Sequence, residues 1–182
     1  MFEEYAGQKV LNLFFREPYR EFHLREAARE SKVSPMTAKK QLDRFADEGI
    51  VEKSKKANLV LFMANTKNKR FQLMKAADSI EKIGESGLLK ALTAELNPVS
   101  IVLFGSTARG QDSKDSDIDL LVISKKKQEI DFEAYERKLK RKINLIIYDS
   151  PEWKKKATDD KPFYLRILLD GIALHGELPV VL

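Results

Sequence analysis

Two short stretches hold the side chains best suited to chemistry. The apolar run Ile101 to Phe104 ends in Gly105-Ser106. Glycine lets a backbone come close to a bound group, and a serine opening a helix offers its hydroxyl beside N–H groups without intrahelical partners, so this turn suits a phosphate. Ten residues further on, Asp117 and Asp119 stand at the head of the apolar run Leu120 to Ile123. Side chains two apart on a strand project from one face, so the two carboxylates converge while Ile118 turns to the core. Converging aspartates hold a charge that a hard divalent cation neutralises. Mg²⁺, or Mn²⁺ in its place, commonly binds through one or two carboxylates together with substrate phosphates and retained waters. Taken singly, the Gly-Ser turn and the Asp-x-Asp pair read as an ordinary turn and an exposed strand start. Their occurrence together, each at a strand edge, reads as a site for a metal-bound triphosphate.

The combination Gly105-Ser106, ten residues, Asp117-Ile118-Asp119 resembles the signature of the DNA polymerase β-like nucleotidyltransferase superfamily, and in particular its minimal nucleotidyltransferases. Arg109-Gly110, Ser116 and the ending Asp170-Gly171-Ile172-Ala173-Leu174 extend the likeness over residues 98–176. The resemblance implies that Gly105, Ser106 and Arg109 bind an NTP, with ATP expected, and that Asp117 and Asp119 are catalytic and hold Mg²⁺ or Mn²⁺. It also implies that a nucleotidyl group passes to an acceptor as pyrophosphate leaves. Active members of this family usually carry a third carboxylate on a neighbouring strand. Here the corresponding run is Lys142-Ile143-Asn144-Leu145, with Asn144 in that place. Its amide oxygen can ligate a metal but brings no charge and cannot serve as a base. Asp149 lies beyond the apolar run at the opposite strand parity and is a poor replacement. A protein acceptor or a toxin partner is a further implication of the resemblance, and a homodimer is the expected assembly.

The elements that must position these residues form an α/β (α+β) pattern. From Val99 the chain alternates a buried strand, a short helix, a strand at 117–123, a helix near 130–139, a strand at 143–148 and a helix at 160–170 closed by Gly171, which calls for a small mixed sheet with packed helices. Residues 66–97 read as a connecting helical segment, with Phe71, Met74, Ala77 and Ile83 on one stripe and Leu88, Leu89 and Leu92 on another, ended by Asn97-Pro98.

The first 65 residues have a different texture. Val10, Leu11, Phe14 and Phe15 recur at helical spacing, and Phe22, Leu24, Ala27 and Ala28 form a second apolar set. Ser34-Pro35 is a good helix start, a side-chain oxygen at the N-cap followed by proline at the first turn. Ala38, Leu42 and Phe45 share the inward face of the helix that follows, and Gly49 stands where it would stop. Ile50 to Lys53 and Asn58 to Met63 read as strands joined by the basic loop Ser54 to Ala57. Two helices and a hairpin in this order resemble a winged helix-turn-helix. Helical projection turns Thr37, Lys40 and Arg44 outward toward a DNA groove, with Lys53, Lys55 and Lys56 reaching the phosphates of double-stranded DNA from the wing. The competing reading is a protein-interaction module whose basic face is diluted by Asp43, Asp47 and Glu48.

Composition bounds these readings. The chain has 182 residues, Lys+Arg 33 against Asp+Glu 28, and no cysteine, which excludes a disulfide scaffold, thiolate metal sites and a cysteine nucleophile and suits a reducing cytoplasm. Residues 1–98 carry 18 bases and 14 acids, whereas residues 99–182 carry 15 and 14, so the basic excess lies in the half with the DNA-binding pattern. No apolar run is long enough to span a bilayer, and the acidic start Met1-Phe2-Glu3-Glu4 is unlike an export signal. The lysine clusters at 125–127, 140–142 and 154–156 read as solvated faces, His23 and His175 as structural, and Trp153 as packing. Two functions fit: a Mg-dependent nucleotidyltransferase with a DNA-binding N-terminal domain (1–65), helical connection (66–97) and nucleotidyltransferase domain (98–182), or a non-enzymatic DNA-binding regulator or antitoxin-like protein with a degenerate nucleotide-binding domain.

Overall fold

The computed structural model describes residues 2–181, with side chains from Tyr5 onward. Met1 and Leu182 lie outside the described residues, as do the side chains of the acidic start weighed above against an export signal. The chain divides into two compact units, residues 1–75 and 76–182, and each is described by itself.

The first unit runs α1 (Phe2–Arg16), β1 (Phe22–His23), α2 (Leu24–Ser31), α3 (Pro35–Asp47), β2 (Val51–Lys56) and β3 (Leu59–Ala64), and it ends within α4 (Lys69–Ser86). The start of α3 is a side-chain cap: the Ser34 hydroxyl accepts from the Thr37 N–H at 3.1 Å, with Pro35 in the first turn. Gly49, at φ +67°, takes the left-handed conformation that lets the chain leave the helix. Phe22 is a strand residue and not part of a helical stripe. His23 caps α2 by accepting from the Glu26 N–H at 3.3 Å, so the helix begins only at Leu24. The hairpin is tighter than the sequence pattern suggests. Ser54, Lys55 and Lys56 belong to β2, and the reversal is confined to Ala57 and Asn58, with Ala57 at φ +52°. Together the strands form an antiparallel sheet of order β1-β3-β2. Phe14, Phe22, Leu42, Ile50 and Phe71 fill the core, all fully buried. Phe14 and Phe22 meet edge to face at 5.5 Å.

The second unit contains the rest of α4, then α5 (Leu88–Leu96), β4 (Ser100–Phe104), α6 (Gly105–Ala108), β5 (Ile118–Ile123), α7 (Glu133–Leu139), β6 (Ile143–Tyr148), α8 (Ser150–Asp159), α9 (Lys161–Asp170) and β7 (Ile172–Gly176). The sheet order is β6-β5-β4-β7, with β5 and β6 parallel and the other pairs antiparallel. It is a mixed sheet with packed helices, as the sequence pattern requires. Strand alternation divides the core in two. Ile101, Leu103, Ile118, Leu120 and Val122 pack with Leu88, Leu92 and Leu96 of α5 and with Tyr135 and Leu139 of α7. Val102, Phe104, Leu121 and Ile123 face Trp153 of α8 and Ile167 of α9. Trp153 is 3% exposed and donates its indole N–H to the Pro179 carbonyl at 2.6 Å, so it is core. Among the described residues no helix is long and apolar enough to cross a membrane.

Candidate active site

β4 ends where β5 begins, because the two strands are antiparallel neighbours and Phe104 pairs with Asp119. The Gly-Ser turn and the aspartates therefore meet at one end of the sheet. Gly105 is at φ +74°, and a Cβ placed on it would lie 2.3 Å from Asp119 Oδ2. No side chain fits there, so backbone and carboxylate are in direct apposition. Asp119 is half-buried in β5, while Asp117 is exposed one residue before the strand. By strand alternation Asp119 belongs to the face of the sheet covered by α8 and α9, whereas Asp117, outside the strand, lines a groove with Glu133, Glu136 and Arg137 of α7.

On the other side of β5, the parallel register sets Asn144 of β6 directly beside Asp119. Its Nδ2 donates to Asp119 Oδ1 at 3.0 Å. Asp149 lies elsewhere in role as well as position: it caps α8, accepting from the Glu152 N–H at 2.8 Å while the Glu152 carboxylate accepts from the Asp149 N–H at 2.9 Å. Arg109 follows the turn. Its Nε donates to Gln111 Oε1 at 3.0 Å, and its Nη1 stands 3.4 Å from Asp170 Oδ2 at the end of α9.

Two carboxylates beside an open glycine turn fit a hard cation that takes its remaining ligands from water and phosphate. Among the described residues no group of three or more His, Cys, Asp or Glu side chains could hold a metal ion.

The residue that sequence reasoning missed is Arg141. It falls within the lysine-rich cluster at 140–142, expected to be solvated throughout, yet its side chain is only 13% exposed. The guanidinium donates to Asp112 Oδ2 at 3.0 Å, to Thr107 Oγ1 at 2.6 Å, and to the carbonyls of Ser116 and Asp117 at 2.6 and 2.9 Å. Burial pushes its pKa below the usual arginine value, against the opposing pull of Asp112, Asp117 and Asp119. A planar fork of five donors can serve acceptors in several directions, which a lysine cannot. Removing one partner from such a buried charged network costs about 3–5 kcal/mol. Only the residue type and its place just before β6 hinted at this.

A groove of about 440 Å³ opens beside Asp117, lined by Lys114, Asp115, Arg137, Lys140 and Lys142 among others. Its mixed charge singles out no chemical class of ligand.

The basic residues of the first unit are arranged differently. Thr37 is half-buried, and its hydroxyl is 2.8 Å from that of Ser34. Lys40 and Arg44 are exposed on α3. Arg44 reaches α1, where a Cβ on Gly7 would meet its Nη2 at 3.0 Å, and its Nε is 3.8 Å from Glu48. Lys53 and Lys39 both bond Asp43, at 2.8 and 3.1 Å, and they hold its carboxyl below the usual carboxylate range, Lys53 contributing most. Lys56 bonds Glu21 at 2.7 Å, whereas Lys55 is exposed.

Comparison with curated proteins and with solved structures gives no match. Residues 85–164, which include the Gly105-Ser106 turn, Asp117, Asp119, Arg141 and Asn144, match the family model of the nucleotidyltransferase domain, so this stretch of the second unit is similar to that domain.

Proposed function

We propose that the second unit binds a divalent-metal complex of a nucleoside triphosphate, ATP foremost, and passes its nucleotidyl group to an acceptor hydroxyl. The new bond joins the acceptor oxygen to the α-phosphorus, and the bond to pyrophosphate breaks. The observation that carries this reading is the apposition of Gly105 and Asp119, which puts backbone and carboxylate side by side at the end of β4 and β5. Gly105 and Ser106 would approach the phosphates. Arg109 would pair with one of them in exchange for Asp170. Asp117 and Asp119 would hold Mg²⁺ or Mn²⁺, with the amide oxygen of Asn144 as a neutral third ligand. The metal, when bound, supplies positive charge against the charge that develops on the phosphoryl oxygens. Asn144 takes no proton, so the acceptor's proton would leave to water, to a phosphate oxygen or to another carboxylate.

Labelled ATP with Mg²⁺ and candidate acceptors, including partner proteins, tests the reading. Transfer by the wild type that is lost in Asp117→Ala supports an enzyme. Transfer only in Asn144→Asp indicates a site that binds without turning over.

A second reading is favoured by one observation. Asn144 gives Asp119 a neutral hydrogen-bond donor where a third carboxylate would add charge. Such a site would sense a nucleotide, and the protein would act as a DNA-binding regulator or antitoxin-like partner of a toxin. In both readings residues 1–65 form a winged helix-turn-helix, 66–97 a helical connection and 98–182 the nucleotidyltransferase domain. Support for the first of these comes from α2 and α3 joined by a short turn and followed by the β2–β3 hairpin. Thr37, Lys40, Arg44, Lys53, Lys55 and Lys56 would contact double-stranded DNA, and a homodimer would suit a two-fold site.

A further inference from the structure

We propose that Arg141 is a positioning residue that couples the Gly-Ser turn to the aspartate pair, so that the phosphate and metal halves of the site are set by one guanidinium. This inference rests on the nucleotide-binding reading above.

The loop from Thr107 to Asp117 joins the two halves of the site and contains no regular element after α6. Thr107, one residue beyond Ser106, is fully buried, and Asp112 is 4% exposed. Arg141 bonds to Thr107, to Asp112 and to the carbonyls of Ser116 and Asp117. It thus touches the loop at its start, its middle and its end. Thr107 also bonds the Asp117 carbonyl directly, at 3.3 Å. Asp117 precedes β5 and has no strand pairing of its own. Its backbone is held instead by Arg141 and by Thr107, and the direction of its carboxylate follows from that hold. Arg141 itself is anchored next to β6, whose first residue, Ile143, donates its N–H to the Glu136 carboxylate at 2.9 Å. The clamp therefore refers the loop to the sheet edge that also presents Asn144.

The test uses the full chain and two readouts, hydrogen exchange of residues 107–117 without ligand and the affinity for Mn²⁺·ATP by calorimetry. Arg141→Lys keeps the charge and loses the fork. Thr107→Val removes one acceptor in nearly the same volume and covers the case in which Arg141→Lys does not fold. Ser124→Ala is the control. It removes a buried hydroxyl that bonds the Leu96 carbonyl at 2.6 Å, at the far end of β5. Arg141→Lys is expected to speed exchange across 107–117 and to weaken Mn²⁺·ATP about tenfold or more, as loss of the groups behind metal ligands does. Thr107→Val should weaken binding roughly threefold or more, because it removes both the bond accepted from Arg141 and the one donated to the Asp117 carbonyl, and Ser124→Ala should leave it unchanged. Faster exchange with wild-type affinity in Arg141→Lys overturns the inference, as does an equal loss in Ser124→Ala. If the wild type itself fails to bind Mn²⁺·ATP, the nucleotide reading falls. Exchange then still judges the clamp, which is refuted by wild-type exchange in Arg141→Lys.

Discussion

The two units hold their charged side chains in opposite ways. In the second, Arg141 is largely buried and fixed by acceptors from across a loop, and Asp119 is wedged between Gly105 and Asn144. In the first, Lys39, Lys53 and Lys56 make ion pairs with Asp43 and Glu21 at the surface. Buried networks define geometry, because leaving any member unpaired is costly. Surface pairs contribute little and exchange readily with solvent or another anion. The first arrangement suits a site that must place small groups to within fractions of an ångström. The second suits a surface that gives up its internal acids when a polyanion arrives, at some cost to affinity.

Arg141→Ala should produce the largest departure between the units. Chemical denaturation is expected to show a loss of about 3–5 kcal/mol for it, against under about 1 kcal/mol for Lys53→Ala or Lys56→Ala. Similar losses for all three would erase the contrast. Gly105→Ala comes next, with a cost of about 1–3 kcal/mol for a side chain at positive φ and a loss of nucleotide binding, since the new methyl meets Asp119 Oδ2. Smaller effects belong to the first unit. Lys55→Ala should lower duplex affinity at every sequence and reduce the slope of log affinity against log salt by about 1, read from titrations at several salt concentrations. Asp43→Ala should act in the opposite direction, because it frees Lys39 and Lys53, and raise duplex affinity roughly twofold to threefold while stability changes by less than about 1 kcal/mol. Unchanged duplex affinity in both variants would show that the basic face serves something other than DNA.

The smallest effect concerns pH. Asp43 has its pKa lowered in the folded state, chiefly by Lys53 and then by Lys39. Its stabilising contribution is therefore present above the ordinary carboxylate value and is lost as pH falls through the lowered one. The stability difference between wild type and Asp43→Asn should shrink over that acidic range, and a difference that grows on acidification would reverse the assignment.

What was legible in the sequence was local. Ser34-Pro35 announces α3 because the cap and the proline lie within two residues of the helix start, and the strand at 143–148 stands out as an apolar run broken by Asn144 and bounded by Lys142 and Asp149. The expected convergence of Asp117 and Asp119 rests on strand parity, which applies to Asp119 in β5 but not to Asp117, one residue before the strand. The tip of β1 was not legible, since two residues have no period and Phe22 fits a helical stripe as well as a strand. Helix α8 was readable in principle, as Asp149-Ser150-Pro151-Glu152 is a capping box with proline in the first turn, but its apolar content is little more than Trp153. Arg141 was barely legible. Its acceptors lie between 24 and 34 positions away, and only its residue type and its place just before β6 set it apart from the exposed lysines on either side.

In the proposed function, the Gly105 turn and the Asp117/Asp119 pair form one nucleotide site. Calorimetric titration of the full chain with Mn²⁺·ATP tests it most directly. The expected result is saturable binding by the wild type that disappears in Asp117→Ala, while the same Asp117→Ala preparation keeps its thermal stability and its affinity for duplex DNA. No binding by the wild type, or undiminished binding by Asp117→Ala, would contradict the account.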